Sequence, residues 1–119
     1  MREILFRGKD SLGNWRYGNL SICDDGELVQ IERDTRSHTF VYPVDPDTVC
    51  EYTGLVDKNG VEIFENDIVA VNFGGCIGVR RFVVKYEAPE FTLYPLDGWK
   101  LSCFGGCEVL GNIFDNPDF

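Results

Sequence analysis

Turn-forming residues recur at short intervals along the chain, and this spacing limits the length of every secondary-structure element. Valine, isoleucine, threonine and aromatic residues fill the runs between these turns, whereas alanine, glutamine and methionine are nearly absent. β-Branched and aromatic side chains favour strands. No window carries an apolar stripe of helical period over three turns. The pattern therefore predicts a mostly β protein with little or no helix.

The predicted strands are the apolar runs bounded by these turns. They cover residues 3–8, 15–22, 28–33, 39–44, 52–56, 61–64, 68–73, 77–87, 91–96, 99–104 and 108–114. The first two flank Asp10-Ser11-Leu12-Gly13. In such a turn, the leading aspartate accepts hydrogen bonds from backbone amides, and the glycine in the fourth position tolerates a positive φ.

The turn at Asp57-Lys58-Asn59-Gly60 follows the same logic, and its sequence permits two registers. A two-residue hairpin turn at its Asn-Gly pair would set Asp57 opposite Glu62, and a pair of like charges costs stability. We therefore expect the longer loop, which sets Val56 opposite Val61.

Two subdomains are predicted, with the division in the proline-rich segment 43–47. Residues 1–47 read as an N-terminal β-meander. Residues 48–119 hold several short strands in quick succession, the pattern of a small, partly open SH3-like barrel. The chain is short enough that we expect both subdomains to share one core.

The net charge restricts the classes of partner. Twenty acidic and 11 basic side chains give a formal charge of −9. Binding to nucleic acids or anionic membranes depends on clustered lysine and arginine, so neither is expected. The charge is spread over both halves of the chain, with 7 basic and 11 acidic groups in residues 1–60 and 4 and 9 in residues 61–119. There is no acidic tail.

The N-terminal sequence and the cysteines predict a cytoplasmic protein. The segment Met1–Arg7 contains charged residues from position 2 onward and lacks the apolar core of a signal peptide. No apolar run approaches the roughly 20 residues that span a bilayer. Five cysteines are an odd set for a disulfide scaffold, so we expect reduced thiols that serve as small apolar side chains.

No motif indicates a catalytic or metal centre. Cys103 and Cys107 are separated by three residues, but a zinc site would usually add a second pair or two histidines. The single histidine, His38, lies in a polar loop, and no serine has the G-x-S-x-G motif. Glu65 and Asp67 are expected to belong to a solvated turn in which Asp67 accepts local amide hydrogen bonds. We predict no catalytic, cofactor-binding or metal-ligating residues.

The remaining candidates are a basic group and exposed aromatics. Alternation along a strand places Arg81 and Lys85 on one face and Arg80 on the other, which splits the basic group. Most aromatics must fill the core of so small a fold, but a minority can form a surface patch for a partner protein. Trp15 and Trp99, each beside a turn, are the candidate partner-binding residues.

Three segments of the chain together resemble the YopX family of phage and prophage proteins, whose function is uncharacterised. They are Met1–Lys9 with Trp15–Gly18, then Glu51–Val69, and finally Glu108–Pro117. The family usually has Gly-Asp where this chain has Asn66-Asp67. Asparagine is the non-glycine residue that most readily adopts a positive φ, so we expect the turn to be kept. The resemblance implies a mostly β protein acting in the cytoplasm of a bacterial host.

The sequence thus predicts a non-enzymatic phage or prophage accessory protein that binds a host or phage protein. Exposed strand edges also permit homo-oligomers. Two alternatives remain open. One is an acidic decoy that occupies the nucleic-acid-binding surface of a host protein, and the other is a small nucleic-acid-binding β-barrel.

Overall fold

The structure, a computed structural model, describes residues 5–23, 28–88, 90–95, 101 and 106–118. Within these ranges the strands are β1 Phe6–Lys9, β2 Trp15–Cys23, β3 Leu28–Asp34, β4 Thr39–Pro43, β5 Cys50–Val56, β6 Glu62–Phe64, β7 Asp67–Asn72, β8 Val79–Glu87, β9 Glu90–Tyr94 and β10 Glu108–Asn112. The same ranges contain a short 3₁₀ helix, Pro46–Thr48, and no α-helix. The predicted mostly β fold with little or no helix is confirmed. None of the helical segments described is long and apolar enough to cross a membrane.

The chain divides into two compact units, Met1–Tyr52 and Thr53–Phe119. The predicted subdivision at residue 47 and the shared core stay predictions. In the first unit the strands follow the order β4-β3-β2-β1-β5, and every neighbouring pair is antiparallel. Because β1 to β4 are neighbours in sequence as well as in the sheet, they form the predicted N-terminal meander.

One face of this first sheet carries a small apolar core. Leu20 of β2 lies directly opposite Ile31 of β3, and Ile31 lies opposite Tyr42 of β4. Residues in such register share a face, since successive side chains in a strand alternate. The core contains Val29, Ile31 and Val44, with Phe6, Leu20 and Val49 partly buried against it.

Strand β2 changes its neighbour in the middle of its length. Residues 15–18 pair with β1, whereas residues 19–23 pair with β3. Gly18 lies at this change. A Cβ atom there would overlap the carbonyl oxygen of Glu32 and would lie 3.2 Å from Cγ2 of Ile31. The absence of a side chain therefore lets β3 approach β2 closely at the point where the two strands part.

The second unit contains a hairpin and an open sheet. β5 continues past Tyr52 and pairs with β6, and the other strands follow the order β10-β7-β8-β9. β9 and β10 lie at the two ends of this sheet as described, which agrees with the predicted partly open, barrel-like arrangement. Its core consists of Ile63, Val69, Val71, Phe82, Val84, Phe91, Leu93, Leu101 and Cys107.

The turn between β5 and β6 has the predicted chemistry but a different register. Oδ1 of Asp57 accepts hydrogen bonds from the N–H groups of Asn59 and Val61 at 2.8 and 2.9 Å. The N–H of Asp57 donates to the carbonyl of Val61 at 2.8 Å, so the predicted pairing of Val56 with Val61 is wrong. Gly60, with φ of 81°, adds one residue to the second strand as a bulge.

Two further local predictions concern Asn66 and the strand predicted at residues 99–104. Asn66 has φ of 69°, as expected for the residue that replaces glycine. The predicted strand at 99–104 lies outside the described residues, apart from Leu101, which is buried and belongs to no strand.

Replacing Gly18 by alanine should destabilise the protein because the added methyl group has no room beside the Glu32 carbonyl. We expect a loss of about 2 kcal/mol in the free energy of unfolding, the usual cost of overpacking, measured from urea denaturation curves. Gly106→Ala is the control, since a Cβ there would meet nothing within 4 Å. An unchanged midpoint for Gly18→Ala would show that β2 and β3 can move apart without cost.

Candidate functional site

A cavity of about 380 Å³ lies on the first unit, beside the N-terminal half of β2. Its lining consists of two arginines and three aromatic residues: Trp15, Arg16, Tyr17, Arg33 and Tyr42. The first three come from the part of β2 that pairs with β1, and the other two come from β3 and β4. The cavity therefore forms where β2 has left the side of β3.

Arg16 is held in place from two sides. Its Nε donates to Oδ2 of Asp10 at 2.9 Å, and its guanidinium carbon lies 4.1 Å from the ring centroid of Tyr42. A cation over an aromatic face is attracted by the ring quadrupole. Arg16 is thus a positioned guanidinium on the wall of the cavity.

Asp10 combines this ion pair with the predicted role in the turn. Its Oδ1 accepts hydrogen bonds from the N–H groups of Leu12 and Asn14, each at 2.9 Å. The Asn14 amide is the main cause that lowers the pKa of Asp10, with Arg16 and the Leu12 amide adding to it against the opposing effect of desolvation. Asp10 therefore remains ionised at neutral pH and maintains its ion pair with Arg16.

Arg33 supplies the second positive charge. It lies on β3 opposite Phe40 and is exposed. Within the described part of the chain, no carboxylate forms an ion pair with it. Three aromatic rings lie in succession on the neighbouring β4 and on the residue that precedes it. Phe40 stacks with Tyr42 at a centroid distance of 6.4 Å, and His38 lies 6.2 Å from Phe40. The first unit thus carries a local surface of guanidinium and aromatic groups within an acidic protein.

Trp15, one of the two predicted partner-binding residues, lies in the cavity lining. It is half-buried, and cations from β1 cover its ring: the guanidinium carbon of Arg7 lies 4.6 Å from the centroid and Nζ of Lys9 lies 5.4 Å from it. The role of Trp15 in binding stays a prediction. Trp99 lies outside the described residues.

Two other sequence candidates, His38 and Cys107, lie outside this cavity lining. His38 is exposed, as predicted, and its Nδ1 lies 2.8 Å from Oγ of Ser37 in the same turn. Cys103 lies outside the described residues, so its relation to Cys107 is not described. Burial, with the nearby charge of Asp57, raises the pKa of the Cys107 thiol, which disfavours a reactive thiolate. The ranges given above hold no group of three metal-ligating side chains.

The carboxylate pair Glu65 and Asp67 is split by burial. Glu65 is half-exposed, whereas Asp67 is 2% exposed and its Oδ2 accepts the N–H of Phe64 at 2.8 Å. The predicted local amide bond is confirmed, but the predicted solvated turn is wrong for Asp67. Asp67 is the first residue of β7, and this strand is largely buried, so the carboxylate lies in the interior with it.

The basic group on β8 is placed as its alternation predicts. Arg80 lies opposite Val71 and Arg81 opposite Ala70, so the two point to different faces. Nζ of Lys85 donates to Oδ1 of Asn66 at 2.8 Å. No continuous basic surface results from these three side chains.

Asp57 is a buried carboxylate whose hydrogen bonds join residues far apart in the sequence of the second unit. In addition to its turn, its Oδ2 accepts the N–H of Val109 on β10 at 2.9 Å, across 52 positions of sequence. The N–H of Lys58 donates to the carbonyl of Cys107 at 3.0 Å. Asp57 is only 5% exposed, and desolvation by itself would raise its pKa. The amides of Val109, Val61 and Asn59 outweigh that effect and lower the pKa.

Comparison with known proteins gives the class of this β protein. The family model described as YopX protein matches residues 6–119, and the chain belongs to the YopX family. Its structure is similar to one titled "Crystal structure of protein EF1440 from Enterococcus faecalis". The TM-score is 0.62 and the identity 25%, and the match covers 99% of this chain and 98% of that one. No curated protein matches the chain.

The arginine–aromatic cavity was missed by sequence reasoning, which found Trp15 alone. Its members are spread over residues 15–42 and meet only through the register of three strands. The available signal was the alternation within β3 and β4, which puts Arg33 on the same face as Phe40 and Tyr42 once the hairpin is assumed.

Asp57→Asn should weaken the protein at neutral pH and make its stability less sensitive to acid. The amide can still accept in the turn, but its NH₂ group would face the Val109 N–H. We expect a loss of about 1–3 kcal/mol, the range for hydrogen bonds to charged groups. Because the folded pKa is lowered, the ionised carboxylate stabilises the fold above its unfolded pKa, about 3.9, and loses this effect as the pH falls through the folded value.

Thermal unfolding of both proteins between pH 7 and pH 2.5 measures this difference. It should be largest at neutral pH and shrink below about pH 4. Asp118→Asn is the control, because this exposed carboxylate lies in the same unit and the charge change is the same. A constant difference between Asp57→Asn and the original protein over the whole pH range would contradict the assigned role.

Proposed function

We propose that this YopX-family chain is a non-enzymatic protein-binding module of phage or prophage origin that acts in the bacterial cytoplasm. Its partner is a host or phage protein that docks an extended segment along the outer edge of β4. The observation that carries the proposal is the composition of this strand. It lies at the end of the first sheet as described and exposes apolar side chains on both of its faces.

Along β4, residues that hydrogen-bond to β3 alternate with residues whose main-chain groups face outward, and the outward-facing residues form a short edge for docking. Val44 N–H bonds to the Val29 carbonyl and Thr35 N–H to the His38 carbonyl. Because hydrogen-bonded and non-bonded pairs alternate in an antiparallel ladder, the main-chain groups of Thr39 and Val41 point away from β3. A peptide strand could add there, with main-chain hydrogen bonds giving affinity.

Side chains flanking this edge suit an apolar partner. Phe40 is 45% exposed and Val41 is 44% exposed, and they lie on opposite faces of the strand. Pro43, at the outward-facing position beyond Val41, has no N–H to donate. Proline on an edge discourages unlimited strand pairing, so this edge is suited to one short segment and not to indefinite self-association.

The rival functions receive less support. No serine has the G-x-S-x-G motif and the Cys107 thiol is buried, which supports a binding role over an enzymatic one. An acidic decoy needs a continuous negative stripe, and the arginines of the first unit interrupt one there. A nucleic-acid-binding barrel needs clustered basic groups, which the strand alternation of β8 separates. Phage or prophage origin and the cytoplasmic location are proposed from the family to which the chain belongs.

Val41→Pro should abolish partner binding while leaving the β3–β4 ladder intact, because the Val41 N–H points outward and makes no bond to β3. The matched control is Val41→Thr, which keeps the N–H and the β-branched shape. Tagged full-length proteins are expressed in a bacterial host carrying a related prophage, and co-purified proteins are quantified by mass spectrometry. We expect a set of partners common to the original chain and Val41→Thr and depleted with Val41→Pro.

Circular dichroism and thermal unfolding of both variants confirm that they are folded. Retention of the same partners by a folded Val41→Pro variant would overturn the assignment of the β4 edge. Light scattering after size exclusion over a wide concentration range shows whether a second copy of the chain is the occupant. Self-association that the proline blocks and the threonine keeps would replace a foreign partner with homo-oligomerisation.

A further inference from the structure

We infer that the cavity lined by Arg16, Arg33 and Tyr42 binds a carboxylate side chain of the segment that docks on β4. The partner is thus an extended peptide in which an acidic residue has apolar neighbours. This inference rests on the proposed function, since it concerns the chemistry of the occupant of the same edge.

Geometry puts the cavity within reach of a strand added outside β4. Arg33 lies opposite Phe40 and shares a face with Tyr42. Neighbouring strands are about 4.8 Å apart, so an added strand would lie roughly 10 Å from β3. An arginine and a glutamate extended toward each other across β4 can bridge that separation. Side chains of the added strand on this face alternate with those on the opposite face, so the two neighbours of the acidic residue that reaches the cavity would lie on the other face.

The charge balance of the cavity calls for an anion. Two guanidinium groups line it, and one of them, that of Arg16, already has a carboxylate partner, because its Nε donates to Asp10. No described carboxylate pairs with Arg33. Arg16 is already oriented by Asp10 and Tyr42, so little further ordering of that side chain is needed on binding. Arginine binds carboxylates in charge-assisted, often bidentate pairs.

A single carboxylate fits this site better than a polyanion does. Charges farther away than about 8 Å are largely screened at physiological ionic strength, so one carboxylate in the cavity responds mainly to the two arginines and to Asp10, which together leave one positive charge in excess. A nucleic acid would extend beyond the cavity over a protein with a net charge of −9 and would meet repulsion there. The aromatic lining adds apolar contact for the methylene groups of a glutamate side chain.

The test uses two capped peptides, acetyl-Val-Glu-Val-Glu-Val-amide and its glutamine counterpart, together with inorganic phosphate. Each is titrated into ¹⁵N-labelled full-length protein, and the amide signals of β2, β3 and β4 and the Trp15 indole signal are followed by NMR. Arg33→Gln removes the free positive charge. Arg80→Gln is its control, because it makes the same change of charge at an exposed arginine of the second unit.

We expect the glutamate peptide to bind the original protein and Arg80→Gln alike, and to bind Arg33→Gln about tenfold more weakly, a change of about 1.4 kcal/mol. The glutamine peptide should be weakened to a similar extent in the original protein. Equal binding of both peptides, or an unchanged affinity of Arg33→Gln, would overturn the carboxylate site while leaving the β4 edge in place. Saturation by phosphate with no response to the glutamate peptide would overturn it in favour of a phosphate site.

The same titration separates this inference from the proposed function. If the Val41→Pro variant binds neither peptide, docking on the β4 edge is supported independently of the charge of the peptide. Undiminished binding of the glutamate peptide to Val41→Pro, but not to Arg33→Gln, would retain the carboxylate site and overturn strand addition. If neither peptide produces a saturable shift in the original protein, the inferred partner chemistry is wrong.

Discussion

The change of neighbour along β2 is the constraint on which the first unit and its candidate site depend. Gly18 allows β3 to approach so closely that the Glu32 carbonyl occupies the place of a side chain. The residues of β2 up to Gly18 pair with β1, and the residues after Gly18 pair with β3. The cavity beside Trp15, Arg16 and Tyr17 follows from that change, because an uninterrupted β2–β3 ladder would fill the same space.

A buried carboxylate has the corresponding role in the second unit. Asp57 accepts two amides within its own turn and a third from Val109, so one side chain fixes the β5–β6 hairpin and its contact with β10. An ionised group is costly to bury unless it is fully hydrogen-bonded. Three backbone N–H donors meet that requirement for Asp57.

Local chemistry explains which features could be read from the sequence. Turns such as Asp10–Gly13 depend on neighbouring residues alone, and so do the strands that they bound and the positive φ of Asn66. The burial of Asp67 and the pairing of Asp57 with Val61 depend on how a strand packs and where a bulge falls, and each was predicted incorrectly. The cavity requires the register of β2, β3 and β4 together, so single segments could indicate Trp15 but not its association with Arg33 and Tyr42.

The large negative charge is compatible with the inferred carboxylate-binding site because many of the carboxylates serve the fold. Asp10, Asp45, Asp57 and Asp67 each accept at least one backbone N–H. Their positions are set by turns and strand ends, not by a common surface. An acidic composition can therefore accompany a local excess of positive charge, and Arg33 and Arg16 provide one beside β4. If the inferred peptide binds there, repulsion of long polyanions by the rest of the molecule would contribute to selectivity, because a peptide carrying a few carboxylates avoids most of it.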